Sequence, residues 1–80
     1  MTILVEIMPK EGIYDPQGRA VQEALLQLGF KQVKKVNVGK LICLELETQS
    51  ESEAREMVDA MAKKLLVNPN IEQHRVRGEG

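Results

Sequence analysis

The sequence predicts an α+β fold of two layers in the order βαββαβ. Three observations carry this reading. The apolar residues near the N-terminus alternate with period two, two helical stretches each carry their own start signal, and a Gly-Lys pair separates two valine- and leucine-rich runs. From Thr2 to Met8, Ile3, Val5 and Ile7 share one face while Leu4, Glu6 and Met8 share the other. Such alternation marks a first strand. Pro9 and Gly12 then mark a loop.

The first helix starts at Asp15, a strong N-cap, followed by Pro16, whose missing N–H would be unpaired there anyway. Val21, Ala24, Leu25 and Leu28 recur at helical spacing and are expected to form its buried stripe. Gly29 followed by Phe30 reads as a left-handed C-cap with a hydrophobic contact after it. Val33 to Val38 and Leu41 to Glu47 are the next two strands, joined by Gly39-Lys40 as a two-residue hairpin turn. That hairpin sets Val36 opposite Cys43 and Val38 opposite Leu41 on one face, with Val33 opposite Leu46 and Lys35 opposite Leu44 on the other.

SESE, from Ser50 to Glu53, is a capping box that opens the second helix. Ala54, Met57, Val58, Met61, Leu65 and at times Leu66 point inward along it. Glu51, Glu53 and Glu56 come early and Lys63 and Lys64 late, in keeping with the helix dipole. Glu51 with Arg55, and Asp59 with Lys63, stand four apart in the favourable order. Asn68-Pro69-Asn70 stops the helix, Ile71 to Arg77 form a last strand, and Gly78-Glu79-Gly80 fray. With right-handed crossovers, these elements make a ferredoxin-like split βαβ: a four-stranded antiparallel sheet with both helices on one face. The other face stays bare. Leu4, Met8, Val36, Val38, Leu41 and Cys43 would lie on it, which predicts a homodimer or larger homo-oligomer.

Composition bounds the rest. Eighty residues make one domain, 1–80, with a core that is small and aliphatic: there is no Trp, one Phe and one Tyr. Eleven basic against twelve acidic side chains argue against nucleic acid as a partner, which draws on a clear basic excess. An RNA-binding module of this topology would also carry aromatic rings where the central strands here hold aliphatics. The single cysteine forms no internal disulfide and suits a reducing compartment. The first residues show neither a basic n-region nor a small-residue cleavage site, and no apolar run reaches membrane length, so neither a signal peptide nor a membrane span is expected, and a cytoplasmic protein is.

No catalytic constellation is legible. Cys43 lies in an apolar strand, where cysteine usually behaves as a small buried hydrophobe. His74 stands alone on an edge strand, and one His with one Cys cannot build a zinc site. Gly39-Lys40 lacks the upstream glycine and the following Ser or Thr of a P-loop. Lys31, Lys34, Lys35 and Lys40 form a basic run with no acid between Glu23 and Glu45. They guard a strand edge or dock an acidic partner.

YDPQGR, from Tyr14 to Arg19, asks for more. Capping accounts for Asp15 and Pro16, but Gly18 in the first turn gives up as much as about 1 kcal/mol of helix propensity. A close approach of another chain, or of an anion, to the free N–H groups would explain it. Arg19 beside them would add a fork of donors.

KEGIYDPQGRAVQEALLQLGF, VNVGKLICLELE and AKKLLVNPNIE together resemble the PurS family throughout, the small subunits of phosphoribosylformylglycinamidine synthase. The DPQG block with its LGF, the VGK turn and the NP before the last strand carry the resemblance. It implies a noncatalytic subunit of purine biosynthesis that joins an ATP-dependent synthetase (PurL type) to a glutaminase (PurQ type). Ammonia released from glutamine then reaches the formylglycinamide ribonucleotide. ATP and magnesium belong to the synthetase, and this chain carries no cofactor and no metal. By position, Asp15, Pro16, Gln17, Gly18 and Arg19, Gly39 and Lys40, and Asn68 and Pro69 match the family's motifs and are the candidate partner-binding residues. The basic Arg75 and Arg77, with His74 where an aromatic is usual, depart from it. The rival reading is a small regulatory domain of the ACT type, which shares the βαββαβ order but usually sits beside a catalytic domain. Tight binding of an amino acid to the isolated chain would favour it.

Overall fold

The computed structural model describes residues 1–78; of the predicted frayed end, Glu79 and Gly80 lie outside the described residues. The elements are β1 (Thr2–Pro9), α1 (Pro16–Gln27), β2 (Lys40–Glu45), α2 (Glu51–Met61), one π-helical turn (Ala62–Leu66) that continues α2, and β3 (Glu72–Gly78). The sheet has three strands in the order β2-β1-β3, all antiparallel. Ile3 stands opposite Leu44 and Gly78, and Val5 opposite Ile42 and Val76. The alternation read for β1 is borne out: Ile3, Val5 and Ile7 are buried and form the core with Ala54, Val58, Ala62 and Val67.

The predicted strand from Val33 to Val38 joins no sheet, so the sheet has three strands and not four. The hairpin is absent, and the pairs Val36–Cys43 and Val38–Leu41 do not form. Two local causes are visible. Gly39 does not adopt the positive φ that a turn with glycine first would need; among glycines, Gly12 and Gly29 do. Its backbone instead passes so close to the Ile7 carbonyl and Met8 Sδ that a Cβ would collide with both. The Val38 N–H, meanwhile, is donated to Asp15 Oδ2 at 2.8 Å.

Residues 33–38 run back along α1 as a strap. Gln22 Nε2 donates to the Lys34 carbonyl at 3.0 Å, and the Val36 carbonyl lies against Gly18. The ends of α1 are as read. Asp15 Oδ1 accepts from Gly18 N–H at 2.9 Å. At the other end Gly29 has φ +98°, with Gly29 N–H to Leu26 O at 3.1 Å and Phe30 N–H to Leu25 O at 3.0 Å, the two bonds of a Schellman cap. Its stripe is not buried, however. Val21, Ala24 and Leu28 are exposed and Leu25 only half-buried, because α1 has no substantial packing against any strand or against α2.

Helix α2 covers the sheet alone. Ala54, Val58 and Ala62, four apart, form its buried line. The wider π turn, closed by Val67 N–H to Ala62 O at 3.0 Å, rotates the chain so that Leu66 and Val67 follow inward while Leu65 is 84% exposed. The expectation that Met57 and Leu65 point inward is corrected on this ground. Ser50 caps as predicted, its Oγ accepting from Glu53 N–H at 3.3 Å. The Ser50 N–H goes to Thr48 Oγ1, so the box is closed by Thr48 and not by Glu53. Arg55 pairs with Glu51 as read, whereas Asp59 faces His74 at 3.3 Å instead of Lys63.

Candidate functional site

Three motifs far apart in sequence meet at one end of the molecule. The link begins at Asp15, whose two carboxylate oxygens divide their work: Oδ1 caps α1 through Gly18 N–H and Oδ2 holds the strap through Val38 N–H. One residue beyond Gly39, Lys40 Nζ reaches Glu72 Oε2 at 3.7 Å. Glu72 Oε1 in turn accepts from Asn68 N–H at 2.8 Å. Asn68 then folds the turn before β3, its carbonyl accepting from Ile71 N–H and Glu72 N–H and its side-chain Oδ1 from Asn70 N–H at 3.1 Å. Asp15, Pro16 and Gln17 of the first motif and Val38, Gly39 and Lys40 of the second thus line one cleft of about 380 Å³ with Ile7, Pro9, Ile13, Tyr14, Ile71 and Glu72; the NP turn does not line it and is joined to it through Glu72.

Of the predicted partner-binding residues, Pro16, Gln17, Arg19, Gly39, Lys40, Asn68 and Pro69 are exposed and Asp15 half-buried. Gly18 is buried. The chain's own strap makes the close approach that this glycine permits: a Cβ there would run into the Val36 carbonyl and stand 2.6 Å from Asp15 Oδ2. Arg19 points along the helix to Glu23 at 3.3 Å and forms no fork with the helix start. Sequence reasoning missed Tyr14, 72% exposed at the mouth of the cleft, and Glu72, the acid that joins two motifs. Tyr14 could have been found as the only tyrosine beside an otherwise unexplained motif. Glu72 carries no local signal at all.

On the sheet, the register sets Leu4, Met8, Leu41 and Cys43 on the face away from α2, with Leu41 at 59% and Met8 at 37% exposed. Val36 and Val38, expected on that face, lie in the strap. Glu6 and Arg77 share the same face and pair at 2.9 Å, so it is apolar towards β2 and charged towards β3. Cys43 and His74 stand on opposite faces of the sheet and on its two outer strands, an arrangement that cannot serve as a nucleophile and base. Among the described residues no cluster of His, Cys, Asp and Glu could hold a metal ion, and no helix is long and apolar enough to cross a membrane.

The Gly18 N–H bond, and next to it the Val38 N–H bond, hold the Asp15 carboxyl below the ordinary value of 3.8; desolvation opposes them and Gln17 N–H assists. These bonds favour the charged form, so the folded pKa lies below the unfolded one. Their contribution is therefore complete at neutral pH and fades as pH falls from the unfolded value through the folded one. In an acid titration followed by NMR, the Gly18 and Val38 amide signals should move together with a midpoint below 3.8. Two independent midpoints, or none, would separate the helix cap from the strap.

Comparison with known proteins places this arrangement. The family model PurS, phosphoribosylformylglycinamidine (FGAM) synthase, matches residues 2–80. The chain is 43% identical over 72 residues to the phosphoribosylformylglycinamidine synthase subunit PurS of Archaeoglobus fulgidus, covering 90% of each. To the corresponding subunit of Methanocaldococcus jannaschii it is 38% identical over 78 residues, 98% of this chain and 92% of that one. The crystal structure of Methanocaldococcus jannaschii PurS superposes with a TM-score of 0.85 at 39% identity, over 95% of this chain and 92% of the other. A chain in the structure of PurLQS from Thermotoga maritima matches with a TM-score of 0.85 at 32% identity, over 95% and 93%. Matched from end to end in sequence and fold, the chain belongs to the PurS family of phosphoribosylformylglycinamidine synthase subunits.

Proposed function

We propose that this chain is the noncatalytic assembly subunit of a phosphoribosylformylglycinamidine synthase in purine biosynthesis. It joins a PurL-type ATP-dependent synthetase to a PurQ-type glutaminase. The observation that carries the reading is the likeness, at 32% identity, to a chain in the PurLQS structure. In this role glutamine is hydrolysed on the glutaminase, and the ammonia is used on the synthetase with ATP and magnesium to turn FGAR into FGAM. This chain holds the two together and needs no cofactor of its own.

The motif end supplies the contact surface. Tyr14 presents a large, exposed ring in a cleft it lines with Ile13, Pro16, Gln17, Gly39, Lys40 and Ile71; Arg19 lines the neighbouring hollow with it, and Asn68 and Pro69 are exposed in the turn before Ile71. An aromatic anchor with a polar rim is how protein interfaces concentrate binding energy. The apolar half of the open sheet face, formed by Leu4, Met8, Leu41 and Cys43, suits a like copy.

Reconstitution tests the role. This chain is mixed with a PurL-type and a PurQ-type subunit, glutamine and nucleotide, and the size of the complex and its glutamine-dependent activity are followed. Both should be lost without this chain, while activity with free ammonia should persist. Equal glutamine-dependent activity with and without it would end the proposal. Tyr14→Ala, whose side chain is mostly in water, should leave the fold intact and weaken assembly by about tenfold, the ~1.4 kcal/mol of a moderate hot spot. Unchanged affinity in calorimetry would move the anchor elsewhere.

A further inference from the structure

We infer that the cleft at the motif end takes a single arginine side chain from a partner subunit. The inference rests on the assembly role proposed above and names what that contact surface receives. Size is the first ground. At about 380 Å³ the cleft lies at the small end of ligand pockets, with room for one long side chain and not for a helix. Its walls are of two kinds. Ile7, Val38 and Ile71 give an apolar lining, and Asp15, Lys40 and Glu72 a charged one. Two carboxylates against one ammonium leave the cleft negative, in a chain whose acids and bases nearly balance.

The two acids differ in what they can still accept. Asp15 commits both oxygens to backbone N–H groups, so it contributes chiefly charge. The Glu72 side chain is only 21% exposed. Its Oε1 is fixed by Asn68 N–H at 2.8 Å, while Oε2 is turned towards Lys40, whose Nζ stands 3.7 Å away. That ion pair is too long for a hydrogen bond. Glu72 is thus anchored by one oxygen, with the other open to a better donor. At the mouth, Tyr14 offers a ring that is 72% exposed. These features together fit a guanidinium on its aliphatic stem. The stem lies along apolar walls, and the planar head pairs with a carboxylate and stacks on the aromatic ring. Being weakly hydrated, a guanidinium enters a partly apolar cleft more readily than an ammonium does. Lys40, whose side chain is 61% exposed, turns to solvent as the head arrives. A carboxylate or phosphate fits worse, since it would meet Asp15 and Glu72 with only Lys40 to hold it. Arginine is also among the residues that concentrate binding energy at protein interfaces.

Two measurements test it. In the first, the full chain alone is titrated with n-butylguanidinium chloride at constant ionic strength and followed by NMR. Saturable shifts are expected at the Tyr14 ring and the Glu72 amide, with n-butylammonium binding about threefold more weakly. Lys40→Ala should bind the guanidinium about threefold more tightly, because a competing cation is gone. Glu72→Gln keeps a carbonyl oxygen for Asn68 N–H, and with it the turn, but should lose most of the binding. Shifts that never saturate, or that acetate reproduces, overturn the inference. In the second, the same variants are assembled with a PurL-type and a PurQ-type subunit. Glu72→Gln should weaken assembly by about tenfold, whereas Lys40→Ala should leave it unchanged or tighten it. The opposite signs would mean that the cleft takes an anion, and the inference falls. A parent chain that joins neither subunit ends the assembly role itself. A parent that assembles, with Glu72→Gln assembling equally well, ends this inference alone.

Discussion

Replacing Gly18 by alanine is expected to destabilise the protein, although alanine is the better helix former. The propensity gain is at most about 1 kcal/mol and smaller in a first turn. Against it stands a collision with the Val36 carbonyl and with Asp15 Oδ2, 2.6 Å from the added Cβ. Neither can yield freely: one is backbone, and the other is anchored by two N–H donors. Forcing such atoms apart costs roughly 1–3 kcal/mol. In a chain of this size, each 1 kcal/mol lowers the unfolding temperature by ~4–8 °C. The Val38 amide should lose its exchange protection first, because its acceptor is the carboxylate that has to move. Gly18→Leu should repeat the effect more strongly, and any loss of assembly would then follow from the displaced strap. An alanine variant that melts as the parent does, with Val38 still protected, would show that the strap does not bear on the helix.

What could be read from the sequence was local. Asp15, Ser50 and Gly29 act on neighbours within a turn of helix, so their roles follow from residue type and spacing. The strand alternation of β1 was legible for the same reason, since one face of a strand is fixed by its period. Val33 to Val38 shows where this stops. Its valines announce a strand, but whether it finds a partner strand is a matter of competition. The second oxygen of Asp15 takes the Val38 N–H, and no pattern in the sequence says that a capping residue has an oxygen to spare. The π turn was equally invisible, because Met61 and Leu65 continue a helical period that the backbone abandons at Ala62. At the candidate site, the motifs themselves could be named, whereas their meeting could not. It depends on Glu72 reaching both Lys40 and Asn68, a contact made only once β1, β2 and β3 are side by side.

A second large effect is expected from Ile3→Ala, and its contrast with α1 makes it informative. Among the described residues the buried core is seven side chains, and three of them, Ile3, Val5 and Ile7, come from the central strand. Ile3 is wholly buried against α2's side of the sheet, with Leu44 opposite it on β2. Truncation removes its transfer energy and leaves a cavity that a sheet paired on both edges cannot collapse around, a loss of ~2–5 kcal/mol. Domains of this size hold on the order of 5 kcal/mol or little more. Ile3→Ala should therefore be largely unfolded at room temperature, or denature at a small fraction of the parent's urea midpoint. Val21→Ala, on the exposed stripe of α1, should shift that midpoint hardly at all in dilute solution, since the side chain covers nothing within its own chain. Equal urea midpoints for Ile3→Ala and the parent would mean that α2 does not pack on β1 as described.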